Sequence, residues 1–251
     1  MLPGRTGRAR RHCANFAPVR GRRSGVAVLR LDSIGKGYGP GADVLQDVSW
    51  SLMPGDFCVV TGGHGAGKTT LLNIMALAEQ PSSGRLMLFD TDALEADRAT
   101  RAALRRRIGI VFQDLRLLDH LSVADNIGLP LRVAGAQAAE IRQHVGELAD
   151  WLGIGNRIDA TPPALSPGER RRAAIARAVV NRPDLLLADE PMGDADNESV
   201  AMMLRLFEHL NTLGATVVIA TRDLAFARQS GHRCLHLERG YAAGAERGAA
   251  A

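Results

Sequence analysis

The sequence predicts an α/β fold. A parallel core sheet carries a phosphate-binding loop, an antiparallel β subdomain lies beside it, and a helical subdomain is inserted into it. Three observations predict this. Gly62-Gly63-His64-Gly65-Ala66-Gly67-Lys68-Thr69 fits the pattern G-x-x-x-x-G-K-[ST], between an apolar β-prone run and a helical run. Further short apolar runs end in polar side chains, the habit of strands buried in a parallel sheet. From Ser122 to Leu165 no β-prone run occurs, so that stretch reads as helical.

Residues 1–27 hold seven Arg and no Asp or Glu, whereas the whole chain is +4, which leaves 28–251 at −3. The first 27 residues lack apolar periodicity and are expected to be a disordered basic extension. This extension reads either as a solvated tail or a misplaced start, or as a basic arm that touches anionic lipid, at about 1 kcal/mol per Arg near the surface. The folded body, being slightly acidic, is not expected to bind nucleic acid. With 46% hydrophobic residues the chain can bury a sizeable core. No run reaches the roughly 18 apolar residues of a membrane span, so the chain is not read as a channel or permease. The Arg-containing start has no apolar stretch behind it and is not read as a secretory signal. Cys13, Cys58 and Cys234 are scattered and suggest reduced thiols.

The ordered part is expected to open with a strand over Val26–Leu31, then a loop over Gly35–Gly41 that carries Tyr38. Val44–Leu52 alternates and reads as a half-buried strand, and Pro54-Gly55-Asp56 as a turn. Phe57–Thr61 is the strand that feeds the glycine-rich loop, and Thr69–Ala78 is the helix that leaves it. Arg85–Phe89 is a strand, Asp97–Arg107 an Arg-rich helix and Ile108–Phe112 a strand with Gln113 at its C-terminal end. Two helices, Val123–Leu131 and Ala136–Leu152, make the inserted lobe. Ser166 and Pro167 are a good N-cap and first residue for a basic helix that runs to Val180. Asp184–Asp189 is a buried strand that ends in Asp189 and Glu190. Ala201–Leu213 is an amphipathic helix, Thr216–Thr221 a strand that ends at Arg222, and Cys234–Glu238 a last strand. Residues 242–251 are expected to fray, which leaves a folded domain over 28–241 with its helical lobe at about 114–165.

The chemistry follows from residue type. Glycines at 63, 65 and 67 let the backbone curl and turn successive N–H groups toward an anion. The helix that follows adds the partial positive charge of its N-terminus. Lys68 supplies a point charge, and the Thr69 hydroxyl suits Mg²⁺. Lys68 is one of only two lysines in the chain, against 29 arginines; a compact ammonium fits where a guanidinium fork does not. Gln113 can offer a carbonyl to a cation or hold water, or it can simply cap its strand. Two carboxylates at the end of a core strand are costly unless a cation or hydrogen bonds satisfy them, which marks Asp189 and Glu190. Tyr38 is either an adenine-stacking residue or an ordinary loop tyrosine.

In combination, Tyr38, the glycine-rich loop, Gln113, Leu165-Ser166-Pro167-Gly168-Glu169, the Leu-Leu-Leu-Ala-Asp-Glu-Pro run to Pro191 and Thr221-Arg222-Asp223 resemble the ATP-binding subunits of ABC transporters over roughly residues 27–240. Within that family, residues 112–135, 174–191 and 205–223 are similar to the cell-division ATPases of the FtsE type. The lipoprotein-release and macrolide-export ATPases are similar in the core motifs. The resemblance implies a P-loop NTPase fold and ATP hydrolysis with Mg²⁺. Tyr38 would stack on adenine, and Gly62, Gly63, His64, Gly65, Ala66, Gly67, Lys68, Thr69 and Thr70 would hold the phosphates. Thr69, Gln113 and Asp189 would surround Mg²⁺, Glu190 would be the general base, and Arg222 would occupy the switch position. Ser166, Gly168 and Glu169 would face ATP on a second copy in a head-to-tail homodimer. It further implies an integral membrane partner resembling FtsX, and a peripheral place on the cytoplasmic face of the bacterial inner membrane.

The chain departs from the family pattern at Arg222, where His is usual, and at Pro167 inside the signature. Met192 and Ala195 are further departures. Arg can donate but not accept, so it relays no proton, and slower hydrolysis is expected. Two other readings stay open: an ATPase for another exporter, such as a lipoprotein-release system, and a slow ATP-binding scaffold.

Overall fold

The computed structural model describes residues 25–39, 41–193 and 197–247, so the expected basic extension lies almost wholly outside the described residues. Two sheets organise the chain. The first is antiparallel and four-stranded, in the order β2-β1-β4-β5, from β1 (Leu29–Gly37), β2 (Asp43–Leu52), β4 (Ser83–Leu88) and β5 (Thr91–Asp92). The second has six strands in the order β10-β9-β3-β8-β7-β6. They are β3 (Phe57–Thr61), β6 (Ile108–Val111), β7 (Leu185–Asp189), β8 (Thr216–Thr221), β9 (Arg233–Glu238) and β10 (Tyr241–Arg247). All pairings in it are parallel except β9 with β10.

Every residue of β3, β7 and β8 is buried, which is why these runs are apolar without alternation. Their period of two sorts the side chains between two cores. Leu185, Leu187, Val218 and Ala220 face a core shared with the antiparallel sheet and helix α1 (Lys68–Met75). Leu186, Ala188, Val217 and Ile219 face a second core with the remaining long helices. These are α3 (Val123–Val133), α4 (Ala138–Trp151), α5 (Pro167–Val179) and α6 (Asn197–Thr212). Helix α1 lies between sheets, so Leu71, Leu72, Ile74 and Met75 are all buried around its circumference.

Helix α2 (Arg98–Arg106) starts at Asp97, whose carboxylate accepts the Thr100 N–H at 2.7 Å. The inserted lobe is α3 and α4 with two short 3₁₀ turns. It is fastened by Asn126, fully buried, whose amide donates to the carbonyls of Leu118, Leu121 and Ser122 while its oxygen accepts the Leu118 N–H. Near the lobe, β6 touches α5 closely: a Cβ on Gly109 would stand 2.2 Å from the Ala178 carbonyl oxygen, so only glycine fits there.

Two expectations are corrected. The loop expected from Gly35 is strand as far as Gly37, because β1 keeps pairing with β2 through Lys36 and Gly37. The fraying expected from 242 does not hold up to Arg247: β10 pairs antiparallel with β9, from Tyr241 against Glu238 to Arg247 against Arg233. Backbone ladder bonds do not require the apolar pattern that this stretch lacks.

Candidate active site

The glycine-rich loop joins the C-terminal end of β3 to the first turn of α1, in the crevice where open α/β sheets bind ligands. Gly67 at the N-cap of α1 has φ +97°, and a Cβ there would meet Val44 O at 2.8 Å, so the turn demands glycine. Lys68 folds back into this loop. Its Nζ donates to the carbonyls of Gly62 at 2.7 Å and Gly63 at 3.1 Å. The side chain is buried, and burial pulls its pKa below the usual lysine range; the carboxylates of Glu190 and Asp189 oppose that shift.

Three strands of the core sheet and the antiparallel sheet converge on this loop. β7 delivers Asp189 and Glu190, β8 ends at Thr221 and Arg222, and β6 is followed by Gln113. A cavity of about 300 Å³ is lined by Tyr38, His64, Gly65, Ala66, Gly67, Lys68, Thr69, Thr70, Gln113, Asp189, Glu190 and Arg222, together with Val44. A second cavity of about 410 Å³ shares Thr69, Gln113 and Asp189 with it, so these three stand where the two cavities meet. Val44 and Asn73, which also line these spaces, carried no sequence signal; both read as ordinary strand and helix residues.

Burial raises the pKa of Asp189 above the usual carboxylate range, while a hydrogen bond from Thr69 works the other way. Glu190 sits at φ +46°, a left-handed conformation rare for a residue with a side chain. Its carboxylate is held from two sides, by Thr221 Oγ1 at 3.2 Å and by Arg222 Nε at 3.1 Å. Tyr38, well exposed, shares a hydrogen bond with Thr70 Oγ1 at 3.2 Å. Among the described residues no group of three or more His, Cys, Asp or Glu could hold a metal. The oxygen donors Thr69, Gln113 and Asp189 suit instead a hard cation that also has phosphate ligands and water, which is how Mg²⁺ binds.

Ser166, Gly168 and Glu169 do not line this cavity. They form the N-terminus of α5, where Ser166 Oγ accepts the Glu169 N–H and the Glu169 carboxylate accepts the Ser166 N–H at 2.8 Å. Arg157 adds a 3.1 Å ion pair, and these contacts, the Ser166 N–H first, hold Glu169 below the usual carboxylate range. Met192 and Gly193 follow the site, and residues 194–196 lie outside the described residues.

The sequence pattern of the ABC transporter family matches residues 45–193. The cell division ATP-binding protein FtsE of Escherichia coli (strain K12) is 39% identical over 214 residues, 85% of this chain and 96% of that one. The macrolide export ATP-binding/permease protein MacB of Syntrophobacter fumaroxidans is 38% identical over 208 residues, 80% of this chain but 29% of that one. Among solved structures, the ATP-binding cassette MJ0796, a dimer in a post-hydrolysis state bound to ADP and Pi, superposes with a TM-score of 0.83 at 29% identity. It covers 88% of this chain and 99% of that chain.

Proposed function

Because the chain belongs to the ABC transporter family as an ATP-binding subunit, we propose that it is an FtsE-type ATPase. Two copies close head to tail over two ATP molecules, and the closure is passed to an integral membrane partner resembling FtsX that controls peptidoglycan hydrolases in cell division. The observation that carries the reading is the convergence of Lys68, Thr69, Gln113, Asp189 and Glu190 on one cavity.

In this reading the loop from Gly62 to Thr70 and the N-terminus of α1 hold the phosphates, and Tyr38 stacks on adenine. Thr69, Gln113 and Asp189 would hold Mg²⁺, which would supply positive charge to neutralise the phosphates. Glu190 orients the attacking water and takes its proton. Ser166 and Gly168 reach the γ-phosphate of the ATP bound to the second copy, and Glu169 braces that helix end. Such a subunit sits on the cytoplasmic face of the bacterial inner membrane. The arginines before residue 25 add attraction to its anionic lipid.

The site for the membrane partner is a groove of about 530 Å³ between α2, β6, α3 and α5, lined by Ile108, Phe112, Leu118, Pro130 and Val133 and edged by arginines 105, 106, 116 and 177. Its occupant is a short cytoplasmic helix of the partner with an acidic residue among apolar ones, which matches the groove's chemistry. MacB is named as both ATP-binding and permease, and this chain matches only 29% of it. No described helix here is long and apolar enough to cross a membrane. Val133 is 66% exposed at the groove's edge. Val133→Asp is expected to leave ATPase activity of the isolated chain unchanged and to abolish stimulation by the co-purified partner in detergent. Full stimulation of this variant would remove the groove from consideration.

Arg222 faces the crevice and holds Glu190. A γ-phosphate would compete for its guanidinium, so Arg222 strengthens ATP binding more than it speeds the chemistry. Because its side chain is 61% exposed and screened by solvent, we place the loss in Arg222→Ala below the range of a buried charge-assisted bond, at about 1 kcal/mol, or a few-fold in KM for ATP. Arg222→His is expected to raise kcat while weakening apparent affinity, since imidazole regains an acceptor and gives up a permanent charge. Identical KM and kcat for wild type and Arg222→Ala would make the residue a bystander and favour the slow-scaffold reading. An ATPase for another exporter remains the second reading, which the similarity to the macrolide export protein MacB supports.

A further inference from the structure

We propose that Arg177 is a positioning residue: from the last turn of α5 it clamps the loop after Gln113, so that a tilt of α5 is transmitted to the magnesium side of the site. The inference rests on the reading of Gln113 as a Mg²⁺ ligand.

The loop is unusual in its backbone. Leu115 and Arg116 are consecutive non-glycine residues in the left-handed region, at φ +59° and +47°. Two such residues in a row persist only where their surroundings hold them. Here the Arg177 guanidinium donates to the carbonyl of Leu115 at 2.5 Å and to that of Arg116 at 2.6 Å. The loop's own contacts stiffen it internally. Arg116 pairs with Asp114 at 3.1 Å, and its guanidinium lies 3.9 Å from the centroid of the Phe112 ring. The far end is tied to α3, where Asn126 bonds Leu118. The Arg177 fork is the tie to α5.

Arg177 is half-buried, and burial pulls its pKa down with only Asp114 opposing that. A guanidinium taken partly out of water needs acceptors, and the two carbonyls supply them. A planar fork holds two N–H donors at a fixed spread that suits two successive carbonyls, a geometry that a single ammonium nitrogen does not reproduce. The same helix begins at Ser166, about 16 Å away by helical rise. Its first turn is therefore tied rigidly to the peptide groups two and three residues beyond Gln113. A second copy engaging Ser166 would thus bias where Gln113 stands.

The test uses the full chain with Arg177→Met, Arg177→Lys and, as reference, Gln113→Ala. Two quantities are read: amide hydrogen exchange across residues 113–118 without nucleotide, and ATP affinity by calorimetry with and without Mg²⁺. Arg177→Met is expected to speed exchange in the loop and to cut the Mg²⁺-dependent gain in ATP affinity about tenfold, as loss of an outer-shell partner does. Metal-free affinity should stay unchanged, and Arg177→Lys should restore part of both effects. Unchanged exchange and an unchanged Mg²⁺ gain in Arg177→Met, beside a lost gain in Gln113→Ala, overturn the clamp. If Gln113→Ala keeps the gain, the metal reading of Gln113 fails, and loop exchange alone decides whether Arg177 is a clamp. Should the Met variant not fold, Arg177→Lys carries the same two readouts.

Discussion

Glu190→Gln is expected to bind ATP, to lose hydrolysis by roughly 10²–10⁴-fold, and to accumulate as an ATP-bound dimer. The substitution keeps the size of the side chain and one oxygen acceptor, so the hydrogen bond from Thr221 Oγ1 can persist, while the amide nitrogen that replaces the other oxygen can no longer accept from Arg222 Nε. What it removes is a carboxylate able to take a proton from water. A thousandfold loss is about 4 kcal/mol of transition-state stabilisation. None of it comes from the phosphate-binding loop, so nucleotide affinity should hold. One effect runs the other way: removing the charge frees Arg222 from its ion pair and makes it available to a phosphate. ATP binding should therefore be as tight as in the wild type or tighter. Gel filtration with Mg²⁺ and ATP, followed by a single-turnover measurement, checks both parts. A monomer under these conditions would remove the head-to-tail dimer, and undiminished hydrolysis would remove Glu190 as the base.

The strained backbone at Glu190 bears on why the variant should fold. A φ of +46° is set by Asp189 in β7 on one side and by the Glu190 N–H donating to the Ala220 carbonyl at 2.9 Å. Neither depends on the carboxylate. The strain is carried by the sheet, so the side chain can be changed without releasing it.

Much of this architecture was legible because its signals are local. The glycine-rich loop, the apolar strands with polar ends and the Ser166-Pro167 helix start each show within a few residues, and each stands where it was expected. The features that were missed depend on distant parts of the chain. β10 forms because its backbone meets β9, and Tyr241 reaches Gln46, 195 residues away, with a 2.6 Å hydrogen bond. Arg177 read as one more arginine on a basic helix; its carbonyl partners are 61 and 62 residues upstream. The left-handed backbone at Glu190 and at Leu115-Arg116 carries no glycine or asparagine to announce it. Ser166, Gly168 and Glu169 present the opposite case. Their motif is plain in sequence, yet in one chain they stand apart from the cavity.

Lys68→Ala is expected to abolish measurable ATP binding, and two losses combine to produce that. The first is direct: an ammonium facing phosphate oxygens is lost, and charge-assisted bonds contribute roughly 1.5–3 kcal/mol each. The second is structural. Lys68 Nζ ties the carbonyls of Gly62 and Gly63, so without it the loop loses the two bonds that fix its curl. The charge balance shifts as well. Asp189 loses the neighbouring cation that opposes the effect of its burial, and an incoming polyphosphate meets a site that has lost its buried ammonium. What remains is the loop's backbone N–H groups and the N-terminus of α1, whose partial charge contributes only about 0.3–2 kcal/mol. That does not replace an ammonium facing several phosphate oxygens. Lys68→Arg should not rescue binding, because Lys68 is only 7% exposed and a guanidinium fork cannot meet both glycine carbonyls from the same buried position. Lys68→Met, which keeps the stem and drops the charge, separates packing from electrostatics: it should melt like the wild type and still fail to bind. Calorimetric titration with ATP and Mg²⁺ reads all three variants. Wild-type affinity in Lys68→Ala would mean that the loop is not the phosphate site, whatever its sequence suggests.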